Sequence, residues 1–545
     1  MRFGTFVLAA LALCATATGG AAAPETNASP APPSTPPLGP KSPSQAQNPF
    51  DIPFTKYTLG NGLEVILHQD VHLPMVTVNV WYHVGPVNEP PQRSGFAHLF
   101  EHLMFEGSKY VGDRFDTLLE SAGGTNMNGT TNWDRTNYYE TVPGEQLELA
   151  LWLEADRMGF MIDTLTQEKL DLQREVVKNE RRQSYENQPY GPSTLKLYDL
   201  LFPEGHPYHG AVIGSMEDLS RATLADVQAF FQKYYSPSNA TLVIAGNFDA
   251  KKARAMVDKF FGTLPARGNP THKSGPWATA FDKPLPKLAL PAEATVLEEV
   301  TLPQVVCAWI VPPAYSASEP ALDLAARILT QGKASRLYQA LVARGIANSV
   351  GASMDANQVQ STFELQARAA SGHTSRELID ELERQVLGLA QIAPRPEELA
   401  RAKTALKVEV ASLLQRLNSD GGESGRAGML QRMNHYLGDP GALTHWMAAY
   451  DAVTPEQITA AVASFLPAEK RTLVITEPGV RVPPKDAQSA SPAASGPTSA
   501  GPASPNPTSP GTASPGTASS APPAPPATAN TANTANTANT AKETK

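Results

Sequence analysis

Cysteine is almost missing from this sequence. Two of the 545 residues are Cys, and one of them, Cys14, lies close to the N-terminus. If processing removes Cys14, Cys307 stands alone, which excludes an internal disulfide and leaves stability to packed cores. Cys307 lies in Q-V-V-C-A-W-I-V, which reads as a buried strand with a core thiol. No segment beyond the N-terminus is apolar enough to cross a bilayer as a helix. An excess of positive charge is missing too. The formal net charge of -9 argues against nucleic acid as the partner.

The two ends lack what a core needs. From about Val482 to Lys545 the chain is Pro, Ser, Thr, Ala and Gly, closing in T-A-N triplets. Residues 479–545 are therefore expected to be a disordered tail, and the Pro-rich stretch 24–48 an extended linker. Met1-Arg2 followed by F-G-T-F-V-L-A-A-L-A-L-C-A has the basic start and short apolar core of a signal peptide. Small residues for cleavage follow, placing the cut near Ala22 or Ala23 and the leader at 1–23. Bulky Leu13 directly before Cys14 speaks against a lipoprotein site. The expected location is exported, in a periplasm or secreted.

What remains is duplicated. T-L-A-D-V-Q-A-F-F-Q-K-Y-Y-S-P-S-N-A-T-L-V-I, from Thr223 to Ile244, overlays T-P-E-Q-I-T-A-A-V-A-S-F-L-P-A-E-K-R-T-L-V-I, from Thr454 to Ile475, without a gap. Each is a threonine cap, an amphipathic helix, a turn and a T-L-V-I strand. Strand patterns fill 55–84, with Asn61-Gly62 as a hairpin turn, and helical patterns follow at 94–107, 144–160, 166–187 and 223–234. The second half repeats the plan. It has strands near 294–311 and 348–370, and helices near 320–331, 335–344, 375–391 and 396–417. The predicted class is α+β: two homologous domains, 49–264 and 289–478, each a sheet packed with helices, joined by a turn-rich linker at 265–288.

The chemistry concentrates in G-F-A-H-L-F-E-H-L-M-F-E-G. His98 and His102 are four apart, so a helix projects both from one face. Two imidazoles at that spacing can hold one zinc ion, and Glu101 sits beside the same metal without having to ligate it. A carboxylate there can take a proton from a zinc-bound water. The order H-x-x-E-H is the inverted form of a common zinc-protease motif. Downstream, positions 173, 176, 177 and 180 share a helical face, with Val176 and Val177 expected to anchor it. Glu180 then lies beside buried residues, where a carboxylate is costly unless paired or bound to metal. Glu175 and Glu186 lie off that face.

With these motifs in place the chain resembles the pitrilysin/insulinase zinc peptidases, which include the mitochondrial processing peptidases. T-L-G-N-G-L-E-V, the H-x-x-E-H helix, G-G-T-N-M-N-G-T-T-N-W-D-R-T-N-Y-Y-E-T-V-P and R-E-V-V-K-N-E carry the likeness, over about 50–478. The resemblance implies that His98, His102 and Glu180 bind one zinc ion and that Glu101 activates water. It also implies duplicated halves forming a clam-like half-chamber, with zinc in the first half alone. Asn128 and Gly129 match the edge that takes up substrate as an added strand. Two places depart from the family pattern. Gln173 stands where a supporting glutamate is common, and Val342 and Asn348 stand where self-sufficient members carry an Arg/Tyr pair. Arg336 and Tyr338 precede that position and are expected to serve their own helix, and Arg344 is a displaced substitute at best. The resemblance therefore points to the zinc-bearing subunit of a dimer, heteromeric or else homomeric, acting on peptides or unfolded protein. The competing readings are a non-catalytic scaffold of the same fold and a peptide-binding chaperone with structural zinc.

Overall fold

A computed structural model of the chain describes residues 48–268, 285–287, 289–419 and 421–480. The expected leader, nearly all of the Pro-rich stretch, most of the 265–288 linker and nearly all of the tail lie outside the described residues. In the first half the order is β1 (Thr55–Thr58), β2 (Glu64–Gln69), β3 (Met75–Tyr82), α1 (Phe96–Leu103), α2 (Phe115–Ser121), β4 (Thr125–Thr131) and β5 (Thr136–Pro143). Then come α3 (Leu147–Phe160), α4 (Gln167–Arg181), α5 (Gly191–Leu201), α6 (Met216–Arg221), α7 (Leu224–Tyr234), β6 (Ala240–Gly246) and α8 (Ala250–Phe260). The second half runs β7 (Ala292–Glu298), β8 (Gln304–Val311), α9 (Glu319–Thr330), β9 (Ala347–Asp355), β10 (Ser361–Ala369), α10 (Ser375–Gln391) and α11 (Pro396–Leu413). It closes with α12 (Gly425–Leu437), α13 (Leu443–Ala452), α14 (Pro455–Phe465) and β11 (Thr472–Pro478).

The sheets repeat one topology. Their orders are β1-β2-β6-β3-β5-β4 and β7-β11-β8-β10-β9. β6 runs parallel to β2 and antiparallel to β3, and β11 stands the same way between β7 and β8. The matched helices α7 and α14 start alike. Thr223 caps with Asp226 and Thr454 with Gln457, each closing a reciprocal capping box. Helix α10 begins on the same device, Thr374 with Glu377.

Each half also lends a helix to the other half's sheet. Strand alternation puts Leu242 and Ile244 on one face of the first sheet, in the core with α1 and α3. Val243 and Ala245 face the other way, into the core that holds Leu430 and Met433 of α12. Gln431 of α12 donates to Asn79 O at 2.8 Å and Thr241 O at 2.9 Å. In return, Leu197 and Leu201 of α5 pack on Ala308 and Val474 of the second sheet. The N-terminus of α5 is held there by Glu298, which accepts from Tyr190 N at 2.7 Å and Ser193 N at 2.9 Å. Cys307 is buried on β8. The 335–344 segment differs from the expected helix. Its hydrogen bonds widen to a π-turn at Tyr338–Val342, with Ala343 N donating to Tyr338 O.

Candidate metal centre

Helix α1 is buried on every side. Phe96 and Phe100 turn to one side, with the Phe100 ring 4.1 Å from Tyr235 and Phe96 6.0 Å from Phe230 between centroids. That anchoring fixes which way His98, Glu101 and His102 point. The helix starts at Gly95, whose φ of 86° is left-handed and whose added Cβ would stand 2.5 Å from Ile213 O, so glycine is required there. No side chain of Gly95 can cap the helix. Glu89 does so instead, accepting from Gly95 N at 3.0 Å and Ala97 N at 2.8 Å. Burial pushes the Glu89 carboxyl up to about 8 against the pull of those amides.

Helix α4 crosses α1 on a narrow stripe. Leu170, Gln173 and Val177 are buried, and Glu180 continues that stripe one turn on. Val176 does not belong to it: it is 38 % exposed, because α4 touches α1 along a single row. Glu180 Oε2 lies 3.1 Å from His102 Nε2 and 3.8 Å from His98 Nε2. The three donor atoms fall within 4.8 Å of one another. Glu180 Oε1 is buried and accepts no hydrogen bond. Burial, helped by the His102 charge, pushes the His98 imidazole down to about 3, so it is neutral and its ring nitrogen can donate to a metal. Burial works upward on Glu180, but His102 and His98 outweigh it and hold the carboxyl low. Two imidazoles and a carboxylate held low, with an oxygen left over, fit a zinc ion. Glu175 pairs with Lys178 and Glu186 with Arg181, so neither joins the group.

Glu101 lies on the same helix but outside the donor set. Its Oε2 accepts from Thr131 Oγ1 at 2.6 Å, and burial pushes its carboxyl up to about 7, with His102, Thr131 and Arg135 pulling down. Strand β4, at the outer edge of the first sheet, passes directly beside it. A Cβ on Gly129 would meet Glu101 Cγ at 3.0 Å, so glycine lets the edge approach the carboxylate. Asn128 Oδ1 accepts from Gly129 N at 2.9 Å, and the strand's register shifts between Thr125 and Asn128. Gln173 reaches Glu106, its Nε2 donating to Oε1 at 2.5 Å. Arg336 holds Glu398 of α11 in a two-pronged pair at 3.0 and 3.1 Å. Val342 is half-buried against the second core, and Asn348 and Arg344 are exposed. Glu89, Thr131 and Arg135 were not found from the sequence. A T-x-x-x-R spacing carries no periodic signal, and Glu89 acts on a helix from outside it.

Comparison with known proteins follows this geometry. Residues 64–196 match the family model described as Insulinase (Peptidase family M16). Residues 221–406 match the model described as Peptidase M16 inactive domain. The chain belongs to the M16 insulinase family. Its M16 relatives include the zinc protease PqqE of Helicobacter pylori, 33% identical over 52% of this chain and 63% of that one. The probable zinc protease PqqL of Escherichia coli is 28% identical over 42% of this chain and 25% of its own length. The chain thus spans less than two thirds of either. An uncharacterised zinc protease of Mycobacterium leprae matches at 28% over 75% of this chain and 88% of that protein. Among solved structures, a protease from Helicobacter pylori superposes with a TM-score of 0.69 at 25% identity, over 79% of this chain and all of that one. The first half of the periplasmic protease PqqL superposes at 0.61 and 16% identity, over 79% of this chain and 93% of that one, which speaks for the fold alone. Among the described residues no helix is long and apolar enough to cross a membrane.

Proposed function

We propose that this M16 chain is a zinc-dependent endopeptidase acting on peptides or unfolded segments, working as the zinc-bearing subunit of a dimer in an exported compartment. One observation carries the reading. Two imidazoles and a carboxylate converge in a buried site, while a further carboxylate, Glu101, stands beside them outside the donor set. A structural zinc site fills four positions with protein, whereas three leave one open for chemistry. His98, His102 and Glu180 would hold the ion, which when bound acidifies water and polarises a peptide carbonyl.

The chain's own residues supply the rest. Thr131 fixes one oxygen of Glu101, leaving the other to accept a proton from the attacking water and return it to the leaving amine. A carboxyl whose burial raises its proton affinity toward neutrality suits both transfers. The open edge of β4, at Asn128 and Gly129, offers backbone groups to an extended substrate. The Gln173 amide is spent on Glu106. Val342 cannot donate to a developing oxyanion as the first member of an Arg/Tyr pair would. One missing donor costs about 3–4 kcal/mol, so a homologous partner carrying the pair is part of the proposal.

The test is turnover of a quenched, unstructured peptide library by the zinc-loaded chain, alone and with its co-purifying partner, against Glu101→Gln. Turnover that the partner stimulates and the variant lacks supports the proposal. Full turnover by the chain alone removes the partner. No turnover in either preparation with zinc bound leaves a non-catalytic scaffold of the same fold.

A further inference from the structure

Strand β4 has two sides, and different halves of the chain hold them. Gly129 and Thr131 face Glu101, through the close approach at Gly129 and the Thr131 bond. Thr130 points the opposite way, as alternation requires, toward the turn at 421–424 of the second half. The Thr130 hydroxyl lies 2.7 Å from Asn137 Oδ1 and 3.1 Å from Gly421 O. Asn137 Nδ2 donates to the same carbonyl at 3.0 Å, and Gly421 N donates to Tyr139 Oη at 2.6 Å. Gly422 comes so near that an added Cβ would meet the Tyr139 ring at 2.5 Å.

Arg135 joins these parts. It is buried at 2 % exposure, with its guanidinium 5.1 Å from the Trp81 ring centroid. Its Nη1 donates to Thr130 O and Oγ1, both at 2.6 Å. Its Nε donates to Glu423 Oε1 at 2.9 Å, and its Nη2 pairs with the same oxygen. Asn132 Nδ2 adds a bond to that oxygen at 2.8 Å. One planar fork thus clamps the β4 backbone at the residue before Thr131 and ties it to Glu423, 288 positions on from Arg135.

We propose that Glu423, acting through Arg135, is a positioning residue for Glu101, so that the second half sets where β4 stands against the first half's catalytic carboxylate. The inference rests on the peptidase reading above. The bonds of Glu423 run to Arg135 and Asn132 and not to His98, His102 or Glu180. It holds Arg135, Arg135 holds Thr130, and the next residue, Thr131, holds Glu101. A residue of the second half thereby takes part in the chemistry of the first.

The test uses the full zinc-loaded chain, with its partner where turnover requires one. Glu423→Gln weakens the clamp, Arg135→Lys removes the fork while keeping the charge, and Thr130→Val deletes the hydroxyl that the fork holds, should either of the first two fail to fold. Each is expected to speed amide exchange in 125–131 and lower kcat, both by about ten-fold or more, the scale of one lost charge-assisted bond. KM rises as well, because the loosened strand is also the edge offered to substrate, so the loss assigned to Glu101 is read in kcat at saturating peptide. Exchange in 96–103 is unchanged. Arg135→Lys combined with Glu423→Gln is no worse than the worse single variant, since both act in one chain of contacts. Glu409→Gln, which breaks a 2.7 Å pair with Arg327 elsewhere in the second half, leaves both readouts alone. Unchanged β4 exchange in all three variants overturns the proposal, as does unchanged kcat with faster exchange. If the wild type and Glu101→Gln behave alike, the peptidase reading falls instead, and the exchange data alone decide whether Glu423 holds the strand.

Discussion

Replacing Glu140 with Gln should stabilise the protein at neutral pH, by an amount that grows with pH. Glu140 lies on β5 opposite Val78, is fully buried, and neither of its oxygens accepts a hydrogen bond. The nearby guanidinium of Arg157 is engaged by Glu154 three residues before it on α3. It is enclosed by the Phe115 and Tyr138 rings at 4.2 and 4.4 Å. Burial and the Glu154 charge therefore push the Glu140 carboxyl well above the ordinary 4.5, with Arg157 opposing. The folded chain keeps this proton while the unfolded chain releases it, so stability falls as pH rises past about 4.5. The slope is about 1.4 kcal/mol per pH unit. Glutamine copies the protonated acid and does not titrate. Its advantage over wild type should grow as pH rises above about 5, by at most about 1.4 kcal/mol per unit while the folded carboxyl keeps its proton. Urea unfolding of both proteins at pH 5, 6 and 7 measures this. A difference that stays constant or shrinks with pH would refute the reasoning, because it would mean that Glu140 is ionised in the folded state.

Other expectations follow from single contacts. Glu180→Gln should lower zinc affinity by at least about ten-fold while leaving the fold intact, read by competition with a chromophoric chelator. Gly129→Val should cost about 1–3 kcal/mol and most of the activity, since its first carbon already meets Glu101 Cγ at 3.0 Å and Phe105 at 3.1 Å. Thermal unfolding and turnover would both register the change. Cys307, buried and pushed up to about 12 by burial, should not react with an aromatic disulfide reagent until the protein is unfolded. Asp134→Ala should destabilise by about 2–4 kcal/mol. It strands Gln358 N, 2.9 Å away, together with the Tyr208 and Tyr436 hydroxyls, where the first half meets the second.

What the sequence made legible is what periodicity encodes. Helical spacing put His98, Glu101 and His102 on one helix, and the 173, 177, 180 stripe brought Glu180 toward them. A gapless overlay exposed the repeat that the two sheets share. What it hid lies in contacts between distant residues. The exchange of α5 and α12 between the sheets, the Glu89 cap and the Arg135–Glu423 clamp join positions with no common period. Val176 was misplaced because a helix of this length buries a narrower stripe than the face it presents. The π-turn at Tyr338–Val342 arises from backbone bonds that no residue type announces.

The most direct measurement is a zinc titration of the chelator-stripped chain by calorimetry, run in parallel on Glu101→Gln and on His98→Ala. The account predicts one equivalent of zinc on the wild type, the same stoichiometry and near-equal affinity on Glu101→Gln, and a large loss on His98→Ala. Equal binding by all three would contradict it. So would a Glu101→Gln variant as impaired as His98→Ala, because Glu101 would then be a ligand and no base would stand beside the metal.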